Sequence, residues 1–209
     1  ALPIFKERIV FSTGRIAEMD AVIATGSDNS LTYFKQYFGK YPHIFRKNRT
    51  SLAVLSGKES EEEMKELAKD VFSYFGLGCR NVSHLMVPEG FNIDLFFEGI
   101  FEHGDVVHNN KYGNNYDYNK AVYLMNQHSL LDNNFVLLRE SSDLFSPLAM
   151  VHYQYYTEKS EIDAFLSDHE GEIQVVVGHE YTPFGKAQSP QLDDYADGVD
   201  VMDWLQNIS

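Results

Sequence analysis

Residues 51–87 read SLAVLSGKES EEEMKELAKD VFSYFGLGCR NVSHLMV, and this stretch decides the fold. Ser51-Leu-Ala-Val-Leu55 is a short apolar run of the kind that fills a buried strand. Ser60 and Glu63 have the spacing of a capping box, and Met64, Leu67, Val71, Phe72 and Phe75 then recur at helical spacing. Gly76-Leu77-Gly78 ends that helix, because glycines tolerate the left-handed conformations of a sharp turn. Val82 to Val87 returns to strand. The stretch is therefore a strand, helix, strand unit, with Cys79 on its second connection.

The same alternation continues outward. Ahead of it, Ala21 to Ala24 reads as a strand, Thr25-Gly26-Ser27 as a turn and Ser30 to Phe38 as a helix, which Pro42 stops by pushing its neighbour out of the α region. Behind it, Asn92 to His103 reads as a helix with Leu95, Phe96, Gly99 and Ile100 on one side. Val106 to Asn119, rich in asparagine and tyrosine, reads as a structured loop, and Lys120 to His128 as a helix. Strands follow at Phe135–Leu138, Leu148–Tyr156 and Ile173–Val177. Between the last two, Ser160 and Asp163 open a helix marked by Ile162, Phe165 and Leu166. The acidic tail from Gln191 offers Val199, Met202, Trp204 and Leu205 for docking. The class is α/β with parallel pairing.

Composition narrows the function. With 44% hydrophobic and 23% charged residues in 209, the chain has the make-up of a globular protein that buries a real core. A formal charge of −14 argues against nucleic acid and anionic lipid surfaces as partners. The single cysteine excludes an internal disulfide, no apolar run approaches the ~20 residues of a membrane span, and Ala1 to Val10 lacks the apolar core of a cleavable leader, so a cytoplasmic location is expected. The eight histidines show no metal-ligand spacing, and no metal is expected.

Three places carry candidate chemistry. Cys79 combines nucleophilicity with a glycine-rich turn; Arg80 adds positive charge beside it, and Asn81 and Ser83 add hydrogen-bond donors, while the preceding helix opposes them with its negative end. A buried, inert cysteine is the alternative. Thr25-Gly26-Ser27, between a strand and a helix, has the form of a phosphate cradle or of an ordinary cap. Asp143-Leu-Phe145-Ser-Pro147 offers a carboxylate for a ribose and a ring for a flat cofactor, or else a solvated acid and a core phenylalanine. His84 and His108 are candidate bases, or structural histidines, and Glu61-Glu62-Glu63 reads as a solvated helix start.

Taken in chain order, these three places resemble the aldehyde dehydrogenase superfamily, and within it the acyl-CoA reductase branch, relatives of the reductase in the fatty acid reductase complex of luminous bacteria. The resemblance runs from about Phe11 to the C-terminus. It is carried by Asp20-Ala-Val-Ile-Ala-Thr-Gly-Ser-Asp-Asn-Ser30, Tyr37-Phe-Gly-Lys-Tyr-Pro42, Phe75-Gly-Leu-Gly-Cys-Arg-Asn-Val-Ser83, Lys111-Tyr-Gly-Asn-Asn-Tyr-Asp-Tyr-Asn119 and Tyr195-Ala-Asp-Gly-Val-Asp200.

The resemblance implies a three-layer catalytic domain with a mostly parallel sheet and a remnant of a Rossmann-like cofactor domain. It assigns residues 1–42 to the end of the cofactor domain, 43–180 to the nucleophile-bearing domain and 181–209 to a segment docking on the cofactor or oligomerisation region. Cys79 becomes the acyl-accepting nucleophile, with Arg80 and Asn81 supporting it. Thr25, Gly26 and Ser27 line the nicotinamide or phosphate part of the cofactor, and Asp143 and Phe145 contact the nicotinamide ribose and ring. The implied reaction reduces a fatty acyl-CoA to a fatty aldehyde with NADPH, or NADH, through an acyl-cysteine. The implied partners are the acyl-CoA substrate, a second copy of the chain and acyl-transfer proteins.

Two departures stand out. Aldehyde-oxidising members activate water with the glutamate of a Glu-Leu-Gly-Gly segment, whereas the matching stretch His43-Ile-Phe-Arg-Lys-Asn48 carries no carboxylate. Members also carry roughly a further half-chain ahead of residue 1, with most of the cofactor domain and the asparagine of the oxyanion hole. A C-terminal fragment of low activity is therefore expected, since one oxyanion donor is worth about 10²–10³ in rate. A non-catalytic interaction or oligomerisation module is the alternative from another class, and an acyl-cysteine transferase or thioesterase a third.

Overall fold

The computed structural model describes residues 8–14, 16 and 18–208; most of the stretch read above for a leader lies outside them. The chain forms two compact units, Ala1–Asn48 with Ala196–Ser209, and Arg49–Tyr195.

In the first unit, β1 (Val22–Thr25) runs into α1 (Asp28–Phe38) and then β2 (His43–Arg46). The two strands pair in parallel from Val22 opposite His43 to Thr25 opposite Arg46. Strand β2 lies in the stretch noted for its missing carboxylate, and its Phe45 packs against Phe34 of α1 with ring centroids 6.0 Å apart.

The second unit holds β3 (Thr50–Val54), α2 (Glu61–Phe72), β4 (Val82–Pro88), α3 (Asp94–Ile100), a 3₁₀ segment Phe101–His108, α4 (Asn110–Met125), β5 (Leu131–Asp132), β6 (Leu137–Glu140), β7 (Met150–Tyr156), α5 (Lys159–Asp168) and β8 (Ile173–Val177). The strands form one sheet in the order β5-β6-β7-β4-β3-β8, parallel throughout except for the β5–β6 pair. Strand alternation divides the core between its faces. Ala53, Leu85 and Val87 meet Leu67, Phe96, Tyr112 and Tyr116 of the α2, α3 and α4 layer, whereas Leu52 and Met86 meet Leu144 and Ile162 on the opposite side. This is a three-layer α/β unit. A last helix, α6 (Val201–Gln206), returns to the first unit, and Asp200 caps it.

The capping box is present as read. Ser60 Oγ accepts from Glu63 N–H at 3.3 Å while Glu63 Oε2 accepts from Ser60 N–H at 2.8 Å. Such a cap stabilises a helix by ~1 kcal/mol. Phe75 departs from the expected helix: α2 ends at Phe72, and Tyr74, Phe75 and Gly76 are all left-handed, with φ of 53°, 59° and 69°. Residues 110–119 depart as well, being helical and not loop. Tyr112, Tyr116 and Asn119 supply the buried stripe there at helical spacing, and Asn109 caps the helix by accepting from the N–H groups of Lys111 and Tyr112, each at 3.1 Å. Helix α5 starts at Lys159, one residue before the expected cap, with Glu158 in the cap position. Among the described residues no helix is long and apolar enough to cross a membrane, and no group of histidine, cysteine and carboxylate side chains is arranged to hold a metal ion.

Candidate active site

Cys79 is exposed, and the backbone on both sides of it is pinned. Since β3 and β4 are parallel with Ser51 opposite Val82, helix α2 must carry the chain back to the amino edge of the sheet, and Cys79 sits there, three residues ahead of β4. Ser51, fully buried, donates its hydroxyl to the Cys79 carbonyl at 2.9 Å and accepts from Val175 N–H at 3.1 Å, tying the loop to β3 and β8 at once. Asn81 does the larger part. Its Oδ1 accepts from Gly78 N–H at 2.8 Å, and its Nδ2 donates to the carbonyls of Asp70, Val71 and Ser73 at 3.0, 3.2 and 2.8 Å. These are carbonyls that the end of α2 leaves without helical partners. One side chain thus caps the helix and holds the left-handed run, whose non-glycine residues each cost on the order of 1–3 kcal/mol. Ser83 turns instead to the Thr50 hydroxyl.

Arg80 is committed to the segment 187–194. It donates to the Ala187 carbonyl at 3.0 Å and pairs with Asp194 at 2.7 Å. Asp70 on α2 reinforces this fastening by accepting from the N–H groups of Gly185 and Ala187 at 2.7 and 2.9 Å. Burial pushes the Asp70 carboxyl up, and those two bonds offset part of the effect. The segment 185–194 is in this way strapped to the helix and loop that carry Cys79. An open cleft of about 330 Å³ borders the same loop, lined by Phe72, Tyr74, Phe75, Glu102, His103 and Val106 among others.

The Asp143 turn belongs to an unusual connection. Strands β6 and β7 are parallel, Leu137 opposite Met150, so residues 141–149 must run back along the sheet, and they do so without a helix. Leu144 is buried against Leu52 and Met86, while Asp143 turns its carboxylate outward, its side chain 71% exposed, with Ser141 Oγ donating to it at 3.0 Å. Phe145 is partly exposed. Leu148, at the end of the connection, lies beside Gly76 of the Cys79 loop. The Cys79 loop and the far end of the 141–149 connection therefore enter the sheet at the same edge, on neighbouring strands β4 and β7, while Leu144 packs on the Leu52 and Met86 face.

His84 is a fully buried strand residue facing the Asp143 carbonyl; His108 lies exposed, 3.8 Å from Asp105. In the first unit, Ser27 caps α1, its Oγ accepting from Ser30 N–H at 3.4 Å. A Cβ on Gly26 would lie 2.7 Å from Ser30 Cβ and 3.1 Å from the Phe34 ring, so close packing of strand on helix already requires glycine there. Thr25 ends β1 opposite Arg46.

Neither a protein-family model nor a curated protein sequence matches the chain. Solved structures do. An indole-3-acetaldehyde dehydrogenase of P. syringae, in complex with NAD+ and IAA, matches at TM-score 0.55 and 10% identity over 76% of this chain and 39% of that one. The NAD-dependent aldehyde dehydrogenase from Sinorhizobium meliloti matches at 0.56 and 12%, over 90% and 41%. The NADP-dependent glyceraldehyde-3-phosphate dehydrogenase from Bacillus halodurans, complexed with NADP, matches at 0.55 and 13%, over 76% and 39%. The chain thus has the fold of aldehyde dehydrogenase-like domains and spans about two fifths of the length of these enzymes. At such identities the likeness establishes the fold, and residue roles rest on the geometry.

Proposed function

We propose that the chain is the nucleophile-bearing part of an NADPH-dependent acyl-CoA reductase, with Cys79 accepting the acyl group. One observation carries the reading: the only cysteine is exposed on a clamped left-handed loop, at the edge of an aldehyde dehydrogenase-like sheet where the far end of the 141–149 connection also arrives. A strained, pinned loop that presents a thiol is costly as mere packing, and such strain gathers at functional sites.

Attack of the Cys79 thiolate on the thioester carbonyl forms an Sγ–C bond and expels the CoA thiolate, which takes up a proton. When bound, NADPH supplies the hydride that converts the acyl-cysteine into a thiohemiacetal. Breaking the C–Sγ bond then releases the aldehyde and returns Cys79 to its starting state. The outward Asp143 carboxylate and the partly exposed Phe145 ring fit a dinucleotide, one as acceptor for ribose hydroxyls and the other as a packing face for a flat ring. Thr25, Gly26 and Ser27, taken by themselves in the first unit, have the strand-turn-helix form that receives a phosphate of a dinucleotide. The carboxylate-free stretch His43–Asn48 suits a reductase, which must keep its acyl-enzyme from water.

Intact mass after incubation with a long-chain acyl-CoA tests the reading. The expected result is one acyl adduct, absent from Cys79→Ala, that disappears with aldehyde formation when NADPH is added. No adduct on the folded full-length protein would overturn it, and release of free fatty acid without nicotinamide would make the protein a thioesterase.

A further inference from the structure

The carbonyl of Asp143 accepts from two buried histidines. Nδ1 of His84 lies 3.1 Å from it and Nδ1 of His152 lies 2.9 Å from it. The two residues are register partners on β4 and β7, with relative exposures of 0% and 2%. A carbonyl only accepts, so both rings must carry their hydrogen on Nδ1. Among the described residues neither Nε2 has a hydrogen-bond partner. Burial favours the neutral form of both imidazoles, bringing His84 down to about 4. The His84 ring is stacked on Phe165, centroids 5.0 Å apart, which fixes its plane.

This arrangement exceeds what a buried carbonyl needs. One donor satisfies it; each buried imidazole with a bare Nε2 adds a desolvation cost that an aliphatic residue would avoid. Two donors from adjacent strands do something more specific, which is to fix the direction of the peptide between Asp143 and Leu144. That direction decides where the carboxylate of Asp143 and, two residues on, the ring of Phe145 point. The rest of the connection is held from its other end, where Ser146 Oγ donates to the Met150 carbonyl at 2.6 Å and Asn119 Nδ2 to the Leu148 carbonyl at 2.8 Å.

We propose that His84 and His152 are positioning residues for the dinucleotide, a two-histidine clamp on the Asp143 carbonyl that presents Asp143 and Phe145 to the nicotinamide end. The inference rests on the acyl-CoA reductase reading for its ligand and on the hydrogen bonds alone for the clamp.

The test compares His152→Leu, which removes the donor, with His152→Asn, whose amide nitrogen stands close to where Nδ1 stands. Two quantities are read on the intact protein: hydrogen exchange of residues 141–149 without cofactor, and NADPH affinity by fluorescence titration. We expect faster exchange and about tenfold weaker NADPH binding in His152→Leu, the factor that one neutral hydrogen bond supplies, with both restored to within about twofold in His152→Asn. Unchanged exchange in His152→Leu would overturn the clamp. Faster exchange with unchanged NADPH affinity would overturn the positioning role and leave a structural one. A parent protein that fails to bind NADPH while its exchange follows the expected pattern would overturn the cofactor role through the failure of the reductase reading, with the clamp itself intact.

Discussion

Replacing Asn81 with alanine should destabilise the second unit by ~3 kcal/mol. Asn81 is 2% exposed, its Nδ2 faces three carbonyl oxygens and its Oδ1 holds Gly78 N–H. An amide has two hydrogens, so at most two of the three carbonyls are fully served at once, and the Gly78 bond makes a third. At ~1 kcal/mol net per bond the sum is ~3 kcal/mol, and carbonyls left bare in a buried place keep the estimate from being smaller. For a domain of this size each kcal/mol shifts the melting temperature by about 2–4 °C, so the fall should be about 6–12 °C by circular dichroism. Asn81→Asp is the sharper variant. It keeps an acceptor for Gly78 but turns a carboxylate toward three carbonyls and should be at least as unstable. Iodoacetamide labelling well below the melt should also report a loosened Cys79 loop in both. An Asn81→Ala protein melting within about 2 °C of the parent, or an Asn81→Asp protein more stable than Asn81→Ala, would refute the argument that this side chain holds the loop.

Arg80→Met should release the segment 187–194, raising its hydrogen exchange, at a stability cost of only ~1 kcal/mol because Asp194 keeps 44% of its side chain in water; alkylation of Cys79 should stay within about twofold, since the Arg80 charge is already balanced by Asp194. Gly26→Ala should destabilise the first unit by ~1–3 kcal/mol, read as faster exchange across residues 28–38, because the new Cβ meets Ser30 and Phe34. His84 sets a pH dependence. Its folded value of about 4 lies below the ordinary 6.5, so the unfolded chain binds the extra proton, and the stability present above pH 6.5 is lost as pH falls toward 4. The expected loss is ~3 kcal/mol between pH 7 and 4, with burial of His152 acting in the same direction. Chemical denaturation across that range should show a shallower slope in His84→Asn, and an equal slope would count against the assignment.

Most of the second unit was legible because its helices and strands announce themselves by aliphatic spacing, and α2 with its capping box is the clearest case. The first part of α4, residues 110–119, was not, since tyrosines and an asparagine carry its buried stripe and asparagine ordinarily favours turns. The short strand β5 lacks the length on which alternation depends. Around Cys79, the glycine-rich turn was readable, but the exposure of the cysteine was left open and the left-handed Tyr74 and Phe75 were not foreseen, because nothing local favours that conformation in an aromatic residue. It is imposed by Asn81, whose partners lie 8 to 11 residues earlier in the chain. The clamp of His84 and His152 left one faint signal, two histidines inside largely apolar or aromatic strands. Their shared acceptor is a backbone atom, which no side-chain pattern reveals.

Strand β4 links these separate fastenings. Asn81 stands at its start and bonds back to Gly78, Ser83 reaches β3, and His84 reaches the connection between β6 and β7. Along four consecutive positions the side chains thus hold the cysteine loop on one side of the strand's entry and the Asp143 turn on the other. The strand itself is central, paired to β3 and β7, so it has no free edge along which to shift. A register slip of one residue would turn every one of these side chains to the wrong face and release both turns together. The order of the Cys79 loop and of the Asp143 connection therefore comes from one buried strand, whose Asn81 and His84 are committed to backbone atoms of those two segments.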